Sequence, residues 1–169
     1  MKGFVLCLAI LIGMVGMAWA YTPHYEDTDP IVEYTYTEEL EAIHDWVIYG
    51  TIEEDNEVEL SREDFYILLI GECAERYGVP RNFAVAISIY ETGWWTSKAF
   101  QGHNFGGITI DTLCSYDTEG EGLEDYMACL KYWCDKGYDT PEKLAEKWCP
   151  VNAKEWAYSV REIMEDLWN

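Results

Sequence analysis

The chain has 169 residues and carries 32 acidic against 11 basic side chains, a net charge of −21 at neutral pH. That balance excludes nucleic-acid binding, because nothing is available to neutralise phosphates, and it counts against a strongly anionic substrate. With 49% apolar residues, eight Trp and thirteen Tyr, there is enough material for one packed core, and the surplus of rings suits a cleft in which aromatic faces stack on sugars.

Residues 1–20 read as a signal peptide. Lys2 supplies the positive end, residues 4–18 are apolar and uncharged, and Ala18-Trp19-Ala20 matches a small-x-small cleavage site. The apolar run is short for a spanning helix. The expected localisation is therefore the cell envelope or the medium, with no stable membrane partner unless the segment is retained. Its Gly3, Gly13 and Gly16 also give it a likeness to the signal-arrest-release anchors of some phage endolysins, in which a cysteine such as Cys7 takes part in disulfide exchange. Residues 21–59 form an acidic leader: residues 21–64 hold fifteen acidic side chains against one basic, Arg62. Within the leader, residues 37–49 carry the pattern of a short helix capped by Thr37, with Leu40, Ile43 and Val47 on its apolar stripe.

Residues 60–169 are expected to form one mostly helical domain. Ser61 with Asp64 predicts a helix start, and Phe65, Leu68, Leu69, Cys73 and Tyr77 keep helical spacing up to Gly78. Pro80 suits a first helical position, and the run Phe83, Val85, Ala86, Ile87, Ile89, Tyr90 is apolar nearly all round, so this second helix should be central. Residues 102–114 look irregular, with Ile108–Ile110 as a short strand. A third helix is predicted over 122–135, a fourth from Thr140-Pro141-Glu142 to before Pro150, and a fifth from Asn152 with Trp156, Val160, Ile163, Met164 and Leu167 inward.

The second helix ends at a single carboxylate, Glu91, followed by Gly93-Trp94-Trp95 and, further on, by Asn104-Phe105-Gly106-Gly107-Ile108. A carboxyl at the end of an apolar helix and walled by indoles is poorly solvated, which raises its pKa and keeps it protonated near neutrality. That is the state from which a general acid protonates a glycosidic oxygen. A negative side chain at a helix C-terminus is also unfavourable, which favours the neutral form.

The cysteines after residue 20 are Cys73, Cys114, Cys129, Cys134 and Cys149. In an exported chain disulfide bonds are expected, here within the set Cys114, Cys129, Cys134 and Cys149, with Cys73 buried and free. Their spacing does not suit a zinc site, and no metal or cofactor is expected.

Residues 61–168 resemble the glucosaminidase branch of the lysozyme-like superfamily, the glycoside hydrolase family 73 type of peptidoglycan hydrolase. The family pattern Ala-x-x-Ile-x-Glu-(Ser/Thr)-Gly-Trp-Gly-x-Ser stands here as Ala86, Ile89, Glu91, Thr92, Gly93, Trp94, Trp95 and Ser97, and its Asn-x-x-Gly-Ile turn as Asn104, Gly107 and Ile108. Downstream, Glu121-Gly122-Leu123, the segment from Thr140 to Ala145, and Asn152, Trp156 and Val160 resemble its later helices. Two features depart from the pattern. Trp95 stands where the family has Gly, and the segment from Gly107 to Tyr116 is short where relatives often carry a longer β-lobe with a second carboxylate.

The resemblance implies a lysozyme-like helical domain with a very short β or irregular lobe, acting as an endo-β-N-acetylglucosaminidase on the glycan strand of peptidoglycan, as a monomer. It implies Glu91 as the general acid. Asp111 and Asp117 are preferred as the second carboxylate over Glu119 and Glu121, while substrate assistance by the sugar's N-acetyl group stays open. Trp94, Trp95, Asn104, Tyr116 and Tyr158 are the candidate substrate-binding residues. Of these, Trp95, if exposed, is the better stacking platform and Trp94 the one expected to pack beneath Glu91, while Asn104 is expected chiefly to bond its own turn. A lytic transglycosylase and a non-catalytic module that binds cell walls are the alternatives.

Overall fold

A computed structural model describes residues 60–167 and, upstream, two short paired strands, β1 (Ile52–Glu53) and β2 (Asn56–Glu57). The signal peptide, the helix expected over 37–49 and most of the acidic leader lie outside the described residues. The domain then runs α1 (Arg62–Tyr77), α2 (Arg81–Thr92), α3 (Lys98–Gln101), β3 (Thr109–Ile110), β4 (Thr112–Leu113), α4 (Glu119–Asp135), α5 (Pro141–Trp148), a 3-10 turn (Pro150–Asn152) and α6 (Ala153–Asp166). No helix among the described residues is long and apolar enough to cross a membrane.

Local chemistry sets these boundaries. The Ser61 hydroxyl accepts from the Asp64 N–H, and Glu63 and Asp64 place negative charge on the positive end of α1. The helix stops at Gly78 in the left-handed conformation, its N–H bonded to the Ala74 and Glu75 carbonyls. Pro80 sits just outside α2, at the cap position, instead of being its first helical residue. α4 begins earlier than the apolar spacing indicates, because Thr118 and Glu121 form a reciprocal capping box: the Thr118 hydroxyl accepts from the Glu121 N–H at 3.2 Å and the Glu121 carboxylate accepts from the Thr118 N–H at 3.3 Å. Thr118→Ala removes half of that box. It is expected to cost about 1 kcal/mol, read as a lower urea midpoint with unchanged slope.

α2 is the central element. Phe83 through Ile89 are all at most 1% exposed, as its nearly continuous apolar sequence predicts. α1 packs on one side of it and α6 on another, with α4 against α1 and α5 against α6. The Tyr126 hydroxyl of α4 donates to the Ala84 carbonyl of α2 at 2.6 Å, so the one polar atom of a fully buried ring is satisfied. A close approach sits one turn earlier on the same face of α4. A Cβ on Gly122 would lie 1.7 Å from the His103 carbonyl oxygen, so only glycine lets the loop after α3 lie against this helix.

Two expectations are corrected. Among the described residues the domain has no β-lobe. Helix dominates, and the region assigned to a lobe holds only two two-residue strands folded back on each other around Asp111, too little backbone to build a separate layer. The disulfide bonds expected among Cys114, Cys129, Cys134 and Cys149 are also not formed: the five cysteines of the described region are free thiols. Each sits in different surroundings. Cys129 is buried on the inner face of α4, near Asp125 and Trp133. Cys134 lies by Asp139 at the end of the same helix, Cys149 by Asn152, and Cys114 by Tyr116. Cys73 is buried and free, as expected.

Candidate active site

Glu91 occupies the last turn of α2, and the chain leaves that turn in an uncommon way. Gly93, Trp94 and Trp95 have φ of 56°, 57° and 56°, three successive residues in the left-handed region. For the two tryptophans this conformation costs of the order of 1–2 kcal/mol each. It is held by bonds on every side. The Thr92 hydroxyl donates to the Ser88 carbonyl at 2.6 Å and accepts from the Trp95 N–H at 3.0 Å. The Trp95 indole N–H donates to the Ser88 hydroxyl at 3.0 Å, and the Arg62 guanidinium donates to the Trp95 carbonyl at 2.5 Å. That guanidinium also lies over the Tyr66 and Phe100 rings, at 5.8 and 5.4 Å from their centroids.

The left-handed turn reverses the roles expected of the two indoles. Trp95 is 0% exposed, packed against Tyr66, while Trp94 is 48% exposed and stands perpendicular to it. Trp95 is therefore an internal plug and offers no stacking face; Trp94 does.

Opposite this turn lies the one built on Asn104. Its fully buried side-chain amide donates to the Ile108 and Cys114 carbonyls at 2.8 and 3.1 Å and accepts from the Ile108 N–H at 2.9 Å. Asn104 thus holds the turn and does not reach outward. Gly107, at φ 63°, is set so that a Cβ would fall 2.9 Å from Oε2 of Glu91; its bare backbone lies beside the carboxyl.

The remaining walls come from the C-terminal helices. Trp156 of α6 donates its indole N–H to Oε1 of Glu91 at 2.8 Å, and Trp148 of α5 donates to the same oxygen at 3.1 Å. Burial raises the Glu91 pKa from 4.5 to about 7; the two indole bonds pull it down without cancelling that effect. No other carboxylate figures among the causes, so desolvation and not like-charge repulsion is responsible. A group of this kind is half protonated near neutral pH and can give up a proton.

The other candidates lie in varied places. Asp111 is exposed at the tip of the β3–β4 turn with φ 55°, and Asp117 is exposed just ahead of α4. Glu119 accepts from the Tyr66 hydroxyl at 2.8 Å and Glu121 completes its capping box, so both are engaged structurally. The Tyr116 hydroxyl donates to Asp125 in a short bond; burial first, then that carboxylate, pushes its ionisation far up. Tyr158 is 55% exposed. It lies two residues past Trp156, about 200° round α6, and lines a separate groove of about 340 Å³ with Glu142, Ala145, Ala157 and Arg161. It does not join the Glu91 site.

Sequence reasoning missed Trp148 altogether and placed Trp156 as a core residue and a part of the family motif, not as a donor to Glu91. The available signal was an indole N–H on a buried face, which needs an acceptor, together with a half-buried carboxyl elsewhere that needs donors. No group of three or more His, Cys, Asp or Glu placed to hold a metal occurs among the described residues.

A family model described as glucosaminidase, mannosyl-glycoprotein endo-beta-N-acetylglucosaminidase, matches residues 69–168, which includes Glu91, both turns around it and both indole donors. Comparison with curated proteins and with solved structures returns no match.

Proposed function

This chain belongs to the glucosaminidase family, and on that footing we propose that it is an exported hydrolase of the peptidoglycan glycan strand, cutting at N-acetylglucosamine with Glu91 as general acid. The observation that carries this is the carboxyl itself: desolvated at a helix end, held by two indoles, and titrating near neutrality at about 7. The printed family description names mannosyl-glycoproteins, which share the N-acetylglucosaminyl bond. The run Glu91-Thr92-Gly93-Trp94 and the Asn104 turn, with their likeness to peptidoglycan hydrolases, support the wall polymer as substrate.

In this mechanism Glu91 donates its proton to the glycosidic oxygen as the bond from that oxygen to C1 breaks, and water completes the reaction at C1. A retaining pair of carboxylates stands only about 5–5.5 Å apart and at that range would raise one partner's pKa by like-charge repulsion. Glu91 feels none. This favours a longer, water-bridged separation with Asp111 or Asp117 as base, or attack by the substrate's own N-acetyl group. Trp94 supplies the exposed ring on which a sugar stacks. Trp94→Ala is expected to raise KM or the wall-binding constant about tenfold, a stacking loss of about 1–2 kcal/mol, and to leave the unfolding midpoint nearly unchanged.

The deciding experiment is mass spectrometry of products from purified cell walls, with a high-mannose glycoprotein as the second substrate. Reducing N-acetylglucosamine ends are expected. Anhydro ends point to a lytic transglycosylase, cleavage of the glycoprotein alone to the other substrate, and wall sedimentation without cleavage to a binding module.

A further inference from the structure

We propose that Trp148 and Trp156 are positioning residues that assign the transferable proton of Glu91 to one oxygen, Oε2, the one beside Gly107. The inference rests on the reading of Glu91 as a general acid and adds which atom delivers the proton and what holds it there.

The argument is one of hydrogen-bond valence. An indole N–H only donates. Oε1 receives two such donors, at 2.8 and 3.1 Å, which fill its acceptor directions and leave no outlet for a hydroxyl proton of its own. In the neutral acid Oε1 is therefore the carbonyl oxygen and Oε2 the hydroxyl. Oε2 faces Gly107, where any Cβ would stand 2.9 Å away. The same two bonds stop the carboxyl from rotating to exchange its oxygens. The donors come from two helices, and their rings are tilted at 33° to each other with centroids 6.5 Å apart, so the pair acts as a fork, not as a single contact.

Other titratable groups around Glu91 do not blur this. Tyr90 on the same helix, Tyr126 of α4 and Cys149 after α5 all sense the Glu91 charge, and burial pushes the ionisation of each one up, so each is neutral when Glu91 titrates.

The test uses the full chain with carboxyl-labelled glutamate. Glu91 is followed by carbon NMR during a pH titration, and by infrared spectroscopy of its carbonyl stretch at low pH. The variants are Trp148→Phe and Trp156→Phe. Where the fully buried Trp156 does not tolerate Phe, 3-benzothienylalanine at 148 or 156 keeps the ring shape and removes only the N–H. Loss of one donor is expected to make Glu91 about tenfold weaker as an acid, to raise its carbonyl stretch, and to move the alkaline limb of the kcat profile to higher pH while KM changes little. A folded variant in which Glu91 titrates as in the wild type, or whose carbonyl stretch does not move, overturns the assignment. If the wild type cleaves no glycan yet Glu91 still responds to loss of the indole N–H, the hydrolase reading fails and the fork stands.

Discussion

Glu91→Gln is expected to lower glycan cleavage by about 10²–10⁴-fold, the range for removal of a general acid, while making the protein more stable above neutral pH. The rate loss follows because the amide cannot supply the proton. The stability gain follows from linkage. The folded-state pKa of Glu91 is raised from 4.5 to about 7, so between those values the folded protein holds a proton that the unfolded chain has released. The Glu91 contribution to stability is therefore fully present below about pH 4.5, is lost as pH rises to 7, and stays absent beyond it. At 1.36 kcal/mol per unit the gap comes to about 3 kcal/mol at most. Gln has no charge to desolvate and its carbonyl still accepts from both indoles. The variant should thus match the wild type in urea at pH 4.5 and exceed it at pH 8. Equal stability at both pH values would mean that the carboxyl is solvated and the proposed acid is an ordinary surface group.

The second large effect is expected at Trp95. Glycine stands there in the family pattern, and at φ 56° glycine would relieve about 1–2 kcal/mol of left-handed strain. By backbone reasoning alone, Trp95→Gly should stabilise. The side chain argues the other way. Its indole is 0% exposed, bonded to Ser88 and packed on Tyr66. Removing a buried indole costs about 3–5 kcal/mol through lost transfer energy and the cavity left behind, and it orphans the Ser88 hydroxyl. The net expectation is a loss of about 2–3 kcal/mol, seen as a lower urea midpoint, with reduced activity because the turn that fixes the end of α2 loses its plug. A gain in stability would show that the core closes over the site without the ring.

These two residues also show how far sequence carries. Glu91 was legible because a lone carboxylate at the end of an apolar run has few structural explanations, and the neighbouring motif is specific. The helices were legible from periodicity, and Ser61, Thr140 and Gly78 bounded them through ordinary capping chemistry. The assignment of Trp94 and Trp95 came out reversed because it depends on backbone handedness. In a right-handed continuation the next residue after the turn would point elsewhere; three left-handed residues rotate the second indole under α2. Trp148 and Trp156 were hidden for a different reason. They lie 57 and 65 residues from the carboxyl they serve, and no local pattern links a donor to so distant an acceptor. The cysteines misled because an export signal suggests pairing, whereas pairing needs thiols aimed at each other at bonding distance, and here all five in the described region are free.

That long reach has a consequence for biosynthesis. When the ribosome has released everything up to the end of α4, Glu91, its turn and Trp94 are all present, but both donors to Oε1 are still to be made. The nascent polypeptide at that stage carries a carboxyl with neither its restraint nor its full enclosure. The enclosure of Glu91 is completed only by the last two helices, residues 141–166, about a sixth of the chain.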